Sequence, residues 1–344
     1  MTFMKTGESG RRIRNISELA KLAGVSAGTV SRALAGKDLV NRNTRERIQA
    51  LAREHGFRPN QMASRLRTGH TGVIGVVIPL GHERAQLLSD PFFMTLIGHL
   101  ADAVTERGYD LMLSRMIPLD EEDWLERITD SGMLDGVVLI GQSDQFATIE
   151  RVAADYLPLV AWGTHQPGQR HCSVGTDSFV GGQMAARHLL ERGARRLAFF
   201  GETTGIEIAQ RLEGARAAVA ESGTGATLEA FPTRLAVNAM ADHVGEHLDT
   251  MDPATDGIFA ASDAIAMTVL RMLHERGRKV PDEIAVIGYD DLPIAMQTMP
   301  RLTTVRQDIA AGAAAMVDSL FRRIGGEDAG PTVLEPRVVV RESA

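Results

Sequence analysis

The chain has 344 residues, 44% hydrophobic and 24% charged, enough for two or three domains with their own cores and too apolar for a disordered chain. The net charge of −7 hides a division, because residues 1–71 carry 14 basic against 5 acidic side chains and residues 72–344 carry 23 against 39; a basic head on an acidic body points the head alone at a polyanion. No apolar run approaches the roughly 20 residues of a membrane helix, no apolar stretch follows the N-terminal basic residues as in a signal peptide, and the single Cys172 permits neither a disulfide within the chain nor a cysteine metal cluster, so a cytoplasmic protein is expected.

In chain order, Asn15 with Glu18 three positions on makes a capping-box-like start to a first helix, in which Ile16, Leu19, Ala20 and Ala23 recur at helical spacing. Gly24 suits the positive φ of its stop, and Val25 can plug the angle to the next element. Ser26 then N-caps a second short helix over 27–34, with Val30, Ala33 and Leu34 inward. Two short helices around a three-residue turn form a helix-turn-helix. Asn41 caps a third helix over 42–55 that closes the small core with Ile48, Leu51 and Ala52.

In such a motif the second helix enters the DNA major groove with its N-terminal residues at the base edges. Thr29 and Arg32 are the expected base readers, Arg32 by a bidentate grip on guanine, while Ala27 and Gly28 are small enough for close backbone approach to the bases. Ser26, Ser31, Asn41, Thr44 and Asn60 are placed to bond phosphates, which fixes register without reading sequence. The segment 59–67 is helix-like but shorter than the about 12–15 residues that hold a helix alone in water.

In the body, apolar runs at 72–79, 109–115, 135–141, 157–163, 196–201, 256–262 and 283–290 alternate with amphipathic helical stretches. Strand alternating with helix implies parallel sheets covered on both faces, here two doubly wound lobes whose strand ends can share one ligand cleft. No G-x-S-x-G elbow, Walker loop or H-E-x-x-H occurs, and no second acidic cluster accompanies Asp290 and Asp291, so no catalytic residue, metal or cofactor is assigned.

The stretch ISELAKLAGVSAGTVSRALAG, followed by VNRNTRERIQALAREHGFRPNQMASRLRTGHTGVIGVVIP, resembles the lactose and galactose repressor family of bacterial transcription regulators. The likeness continues in DPFF, RLEGARAA and PRLTTVRQD. It implies an all-α helix-turn-helix head over 14–58 after a flexible basic extension, 1–13, and a hinge or linker over 59–70. It further implies a periplasmic-binding-protein-like core of two lobes, one from 72–176 and 293–325 and the other from 177–292 and 326–344. In the resemblance, two hinges pair in a homodimer, and Leu66 wedges into the minor groove of operator DNA with Ala63 allowing close approach.

Arg211 and Asp290 match the family's main ligand positions, and Asp90, Phe92, Asp177, Ser262 and Gln307 complete the expected effector set, although Asp177 also reads as a helix N-cap. Glu207 and Ala264 depart from patterns common among simple-sugar members, and Thr164 stands where purine-responding members use an aromatic, which favours a carbohydrate over a nucleobase. The C-terminal VLEPRVVVRESA reads as strand with no leucine heptad, favouring a dimer. The expected function is an effector-controlled repressor of carbohydrate-use genes; the alternative is a sugar-processing enzyme with an accessory DNA-binding head.

Overall fold

The computed structural model describes residues 13, 15–34, 40–57, 70–80, 85–118, 123–142 and 145–344, and the chain divides after Thr71 into two units. The hinge residues Asn60, Ala63 and Leu66, and the basic extension apart from Ile13, lie outside the described residues.

Among its described residues the head unit holds three helices, α1 (Ile16–Ala23), α2 (Ala27–Leu34) and α3 (Arg42–Glu54). The start of α1 is a reciprocal box: the Glu18 amide donates to Asn15 Oδ1 at 2.9 Å and Asn15 Nδ2 donates to Glu18 Oε1 at 3.0 Å. Gly24 closes it at φ +63°, its amide donating to the carbonyls of Ala20 and Lys21. Leu19, Ala23, Val30, Ala33 and Ile48 form the buried centre, and Ile16, Val25, Leu34 and Leu51 pack against it half-buried. Val40 and Phe57 complete that core from outside the helices, where helical periodicity gives no signal. The third helix stabilises the first two at their ends: Arg47 donates to the Ala23 carbonyl at 3.0 Å and Gln49 to that of Ala33 at 3.3 Å, satisfying acceptors that a helix C-terminus leaves open.

Among its described residues the body unit holds two six-stranded sheets. The first comprises β1 (Val73–Pro79), β2 (Asp110–Met116), β3 (Gly136–Ile140), β4 (Leu159–Trp162), β5 (Cys172–Thr176) and the late strand β11 (Thr332–Leu334), ordered β11-β5-β4-β3-β1-β2. The second comprises β6 (Arg196–Phe200), β7 (Thr227–Phe231), β8 (Gly257–Ala260), β9 (Ala285–Asp290), β10 (Thr303–Arg306) and β12 (Arg337–Val339), ordered β12-β10-β9-β8-β6-β7. Every pairing is parallel except the antiparallel β10 with β12. Central strands such as β3 and β9 are buried along their whole length, as expected where helices cover both faces.

The helices of the body are α4 (Pro91–Glu106), α5 (Trp124–Thr129), α6 (Phe146–Ala153), α7 (Ser178–Glu191), α8 (Ile206–Glu221), α9 (Val237–Thr250), α10 (Asp263–Glu275) and α11 (Ile309–Ile324). The contact of α7 with α8 is backbone on backbone, since a Cβ on Gly182 would lie 2.0 Å from the Arg211 carbonyl oxygen and one on Gly214 would lie 1.9 Å from that of Phe179.

Two of the expected lobe boundaries move. Thr303–Arg306 pairs in parallel with β9, Thr303 opposite Ile287, so residues 293–306 stay with the second lobe and do not return to the first. Thr332–Leu334 pairs with β5, so residues up to 334 remain with the first lobe, which α11 also covers. The chain therefore changes lobe near 177, 307 and 335. The tail read as one strand is two, parted at Glu335 and Pro336, and each half completes a different sheet.

Candidate functional site

Between the lobes, at the carboxyl ends of the strands, lies a cavity of about 850 Å³ counting its open mouth. The first lobe contributes Pro79 and Leu80 at the end of β1, Ile140 and Gly141 at the end of β3, Trp162 at the end of β4, and Asp90, Phe92 and Phe93 around the start of α4. The second lobe contributes Glu207, Ile208 and Arg211 from α8, Ser262 and Ala264 at the start of α10, and Asp290 at the end of β9. Gln307, after β10, sits at the second crossover.

Six of the seven expected effector residues, Asp90, Phe92, Arg211, Ser262, Asp290 and Gln307, thus line one cavity. Asp177 does not. Its carboxylate accepts from the Val180 amide at 2.9 Å as the N-cap of α7. Asp90 and Ser262 also cap helices, accepting from the amides of Phe92 at 2.9 Å and Ile265 at 3.3 Å. Capping fixes their rotamers, so each presents a polar group already held in place.

Asp290 is the centre of the charge arrangement. It is buried, takes φ +120°, and accepts from Gln307 Nε2 at 2.6 Å. Burial pushes its carboxyl up to about 7, against the opposing pull of Arg211 and of the Gln307 hydrogen bond. The following Asp291, at φ +56°, is held by Arg306 at 2.6 Å and Arg341 at 2.5 Å. Behind the turn, Asp263 is fully buried and accepts from Thr304 Oγ1 at 2.6 Å and from the Leu292 amide at 2.8 Å. Burial and the neighbouring Asp290 raise its carboxyl well above the usual range. Strained backbone at a cavity wall, fixed from several sides, is the kind of local cost that functional sites retain.

Arg211 is also buried, with Nη1 donating to the Ala261 carbonyl at 2.6 Å and its guanidinium lying over the Tyr289 ring. Its Nε has no partner among the described residues, and neither has the buried Oε1 of Gln86, whose Nε2 donates to Asp90 at 3.0 Å. A donor and an acceptor without partners thus lie buried in the wall of the cavity. Burial raises the Asp90 carboxyl too, opposed by the Gln86 bond and by the amides of Phe92 and Phe93.

Trp162 and Gln86 were not expected in the site. Trp162 packs edge-on to Phe92 at 5.8 Å, giving a cavity wall of two aromatic rings. Its place at the end of the run 157–163 was a readable signal, whereas Gln86 lies in a connection with no pattern.

In the head, Ser26 caps α2: the Thr29 amide donates to Ser26 Oγ at 3.1 Å, and the two hydroxyls lie 2.9 Å apart. Gly28 and Arg32 are exposed, and Arg32 Nε donates to the Gly28 carbonyl at 3.2 Å, so the guanidinium folds back over the side chain that Gly28 lacks. Ala27 is half-buried against the head core, a packing role that the sequence did not indicate. Asn41 caps α3 through the Asn43 amide at 3.0 Å, and Ser31 and Thr44 are half-buried.

Comparison with known proteins adds identity to this geometry. Residues 15–60 match the model described as "Bacterial regulatory proteins, lacI family", and residues 186–344 match a periplasmic binding protein-like domain. The HTH-type transcriptional regulator CelR of Thermobifida fusca is 32% identical over 97% of this chain and 99% of its own length. A sucrose operon repressor of Pediococcus pentosaceus is 28% identical over 92% of this chain and 94% of its own. Among solved structures, a CelR–cellobiose complex matches with TM-score 0.68 at 29% identity, over 96% of this chain and all of that one. The lac repressor dimer bound to operator matches the fold with TM-score 0.82 at 20% identity, over 96% of this chain and 98% of that one.

Proposed function

The chain belongs to the lacI family of bacterial regulatory proteins, DNA-binding transcription regulators under effector control, and we propose that in it a carbohydrate held between the two lobes sets the affinity of a cytoplasmic homodimer for operator DNA. The observation that carries this reading is the cavity itself: Arg211 and Asp290 face it from the second lobe, and Phe92 and Trp162 face it from the first. A fixed cation and a carboxylate suit vicinal hydroxyls, and aromatic rings suit the apolar face of a sugar. The sugar named for the CelR complex supports the ligand class.

On the DNA side, Thr29 and Arg32 read bases in the major groove, where Ala27 and Gly28 allow close approach, and Ser26, Ser31, Asn41, Thr44 and Asn60 hold phosphates. Leu66 and Ala63 enter the minor groove from the paired hinges. The chain acts by binding. A thermal-shift screen with cellobiose, sucrose, ribose and glucose tests the ligand class, because a sugar at about 100 times its Kd stabilises by about 2.7 kcal/mol. A sugar that is consumed at enzymatic rates would favour the processing enzyme instead.

A further inference from the structure

Glu207 and Thr164 meet across the lobes. Glu207, in the first turn of α8, lines the cavity, and its Oε1 accepts from the Thr164 amide at 3.4 Å. The approach runs over Gly163, where a Cβ would lie 2.6 Å from Glu207 Oε1 and 2.3 Å from Gln142 Nε2. Gln142 Nε2 in turn donates to the Thr164 carbonyl at 2.8 Å. Both faces of the Thr164 peptide neighbourhood are therefore held, one from each lobe.

Beyond Gln142 lies a part-buried contact between Glu150 and the buried ring of His171. Glu150 Oε1 sits 2.5 Å from His171 Nδ1, and Gln142 Oε1 sits 3.0 Å from His171 Nε2. Gln142 cannot turn its amide over without setting its oxygen against the Thr164 carbonyl, so its oxygen faces the imidazole. Burial opposes the charge on Glu150, but the amides of His171 and Arg170 and the His171 ring together hold its carboxyl below the usual range. The ring nitrogens of His171 thus face two acceptors, and only the doubly protonated imidazolium satisfies both. A neutral ring keeps its proton towards Glu150 and turns a lone pair on Gln142. Burial lowers the His171 pKa, with Glu150 raising it and His165 and Arg323, the other charged groups facing the ring, lowering it.

We propose that Glu207 is a specificity-determining carboxylate of the effector cleft, and that Gln142, His171 and Glu150 are positioning residues that hold it through Thr164, most firmly when His171 is protonated. This rests on the cleft being the effector site. Glu207 ties α8 to the first lobe, and its remaining acceptor capacity is offered to a hydroxyl donor in the cavity.

The test uses the full chain and begins without ligand. Hydrogen exchange of the Thr164 amide, followed by NMR, is expected to quicken at least tenfold in Glu207→Ala, to stay near wild type in Glu207→Gln, and to leave the Ala161 amide of β4 unchanged in both. After division by the intrinsic rise of exchange with pH, protection of Thr164 is expected to be highest at the acid limit of the fold and to fall as pH rises through the range below the ordinary imidazole value of 6.5 in the wild type, and to be flat in Gln142→Leu. Equal Thr164 exchange in wild type and Glu207→Ala, or a flat profile in the wild type, overturns the relay. Cellobiose affinity is the ligand arm: at least a tenfold loss in Glu207→Ala supports the specificity role, and unchanged affinity overturns it. If the exchange results hold while no sugar of the screen stabilises the wild type, it is the effector reading that falls.

Discussion

The guanidinium carbon of Arg211 lies 3.7 Å from the centre of the Tyr289 ring, so the cation at the cavity wall rests on an aromatic face that is itself fully buried. A desolvated contact of this kind is worth about 2 kcal/mol, and here it orients a side chain from α8 by a residue of β9. Replacing Tyr289 with Phe keeps the ring and is expected to keep effector affinity within a few-fold. Tyr289→Leu removes the ring and is expected to weaken effector binding by tenfold or more, read by calorimetry, with operator binding in the absence of effector unchanged.

The raised carboxyl of Asp290 makes stability depend on pH. The folded state holds a proton that the unfolded chain releases at its ordinary value of 3.8, so stability is full below that value and is lost as pH rises through about 7. Asp263 shifts in the same direction, so the comparison must be with a variant. The fall in Tm between pH 5 and pH 8 is expected to be smaller in Asp290→Asn than in the wild type, as scanning calorimetry would record; an identical fall would mean that Asp290 is ionised throughout.

The close seam between α7 and α8 predicts a stability effect at a residue that touches no ligand. Gly182→Ala sets a methyl against the Arg211 carbonyl, and forcing atoms into a packed contact typically costs about 1–3 kcal/mol. Urea unfolding should give that loss. Because the displaced backbone carries Arg211, effector affinity is expected to fall in the same variant.

Arg32 is exposed on α2, the helix proposed to enter the major groove. On an operator recovered by selection from random duplexes, Arg32→Ala is expected to cost about 1–3 kcal/mol, with a much smaller loss on unrelated DNA. Equal losses on both would make Arg32 a phosphate contact.

Much of this architecture was legible because local signals agreed with one another. Asn15, Gly24 and Ser26 delimit their helices by capping chemistry that needs no tertiary information. The buried strands announce themselves as apolar runs. What the pattern missed has physical reasons. Residues 172–176, with Ser173, Gly175 and Thr176 among five, form a fully buried strand without an apolar run, because small side chains fit where the crossover brings Gly163 against Gly175. Thr303 and Thr304 are buried but polar, satisfied by Ala344 and Asp263 from far along the chain, so β10 was left to the wrong lobe. In the site, Arg211 and Asp290 were found by matching sequence. The Glu207–Thr164 contact depends on how two lobes meet, which no local pattern encodes, and Gln86 sits in a connection without periodicity, where its bond to Asp90 has no sequence signal.

The central claim is that a sugar in the cleft governs DNA affinity, and the most direct measurement is an operator titration with and without the sugar that stabilises the protein, run on wild type and on Arg211→Ala and Asp290→Ala. The sugar is expected to change the wild-type Kd for operator by at least tenfold, while each variant binds operator as the wild type does without sugar and does not respond to it at the wild-type sugar concentration. A wild-type affinity that ignores the sugar, or a variant that still responds at that concentration, would contradict the account.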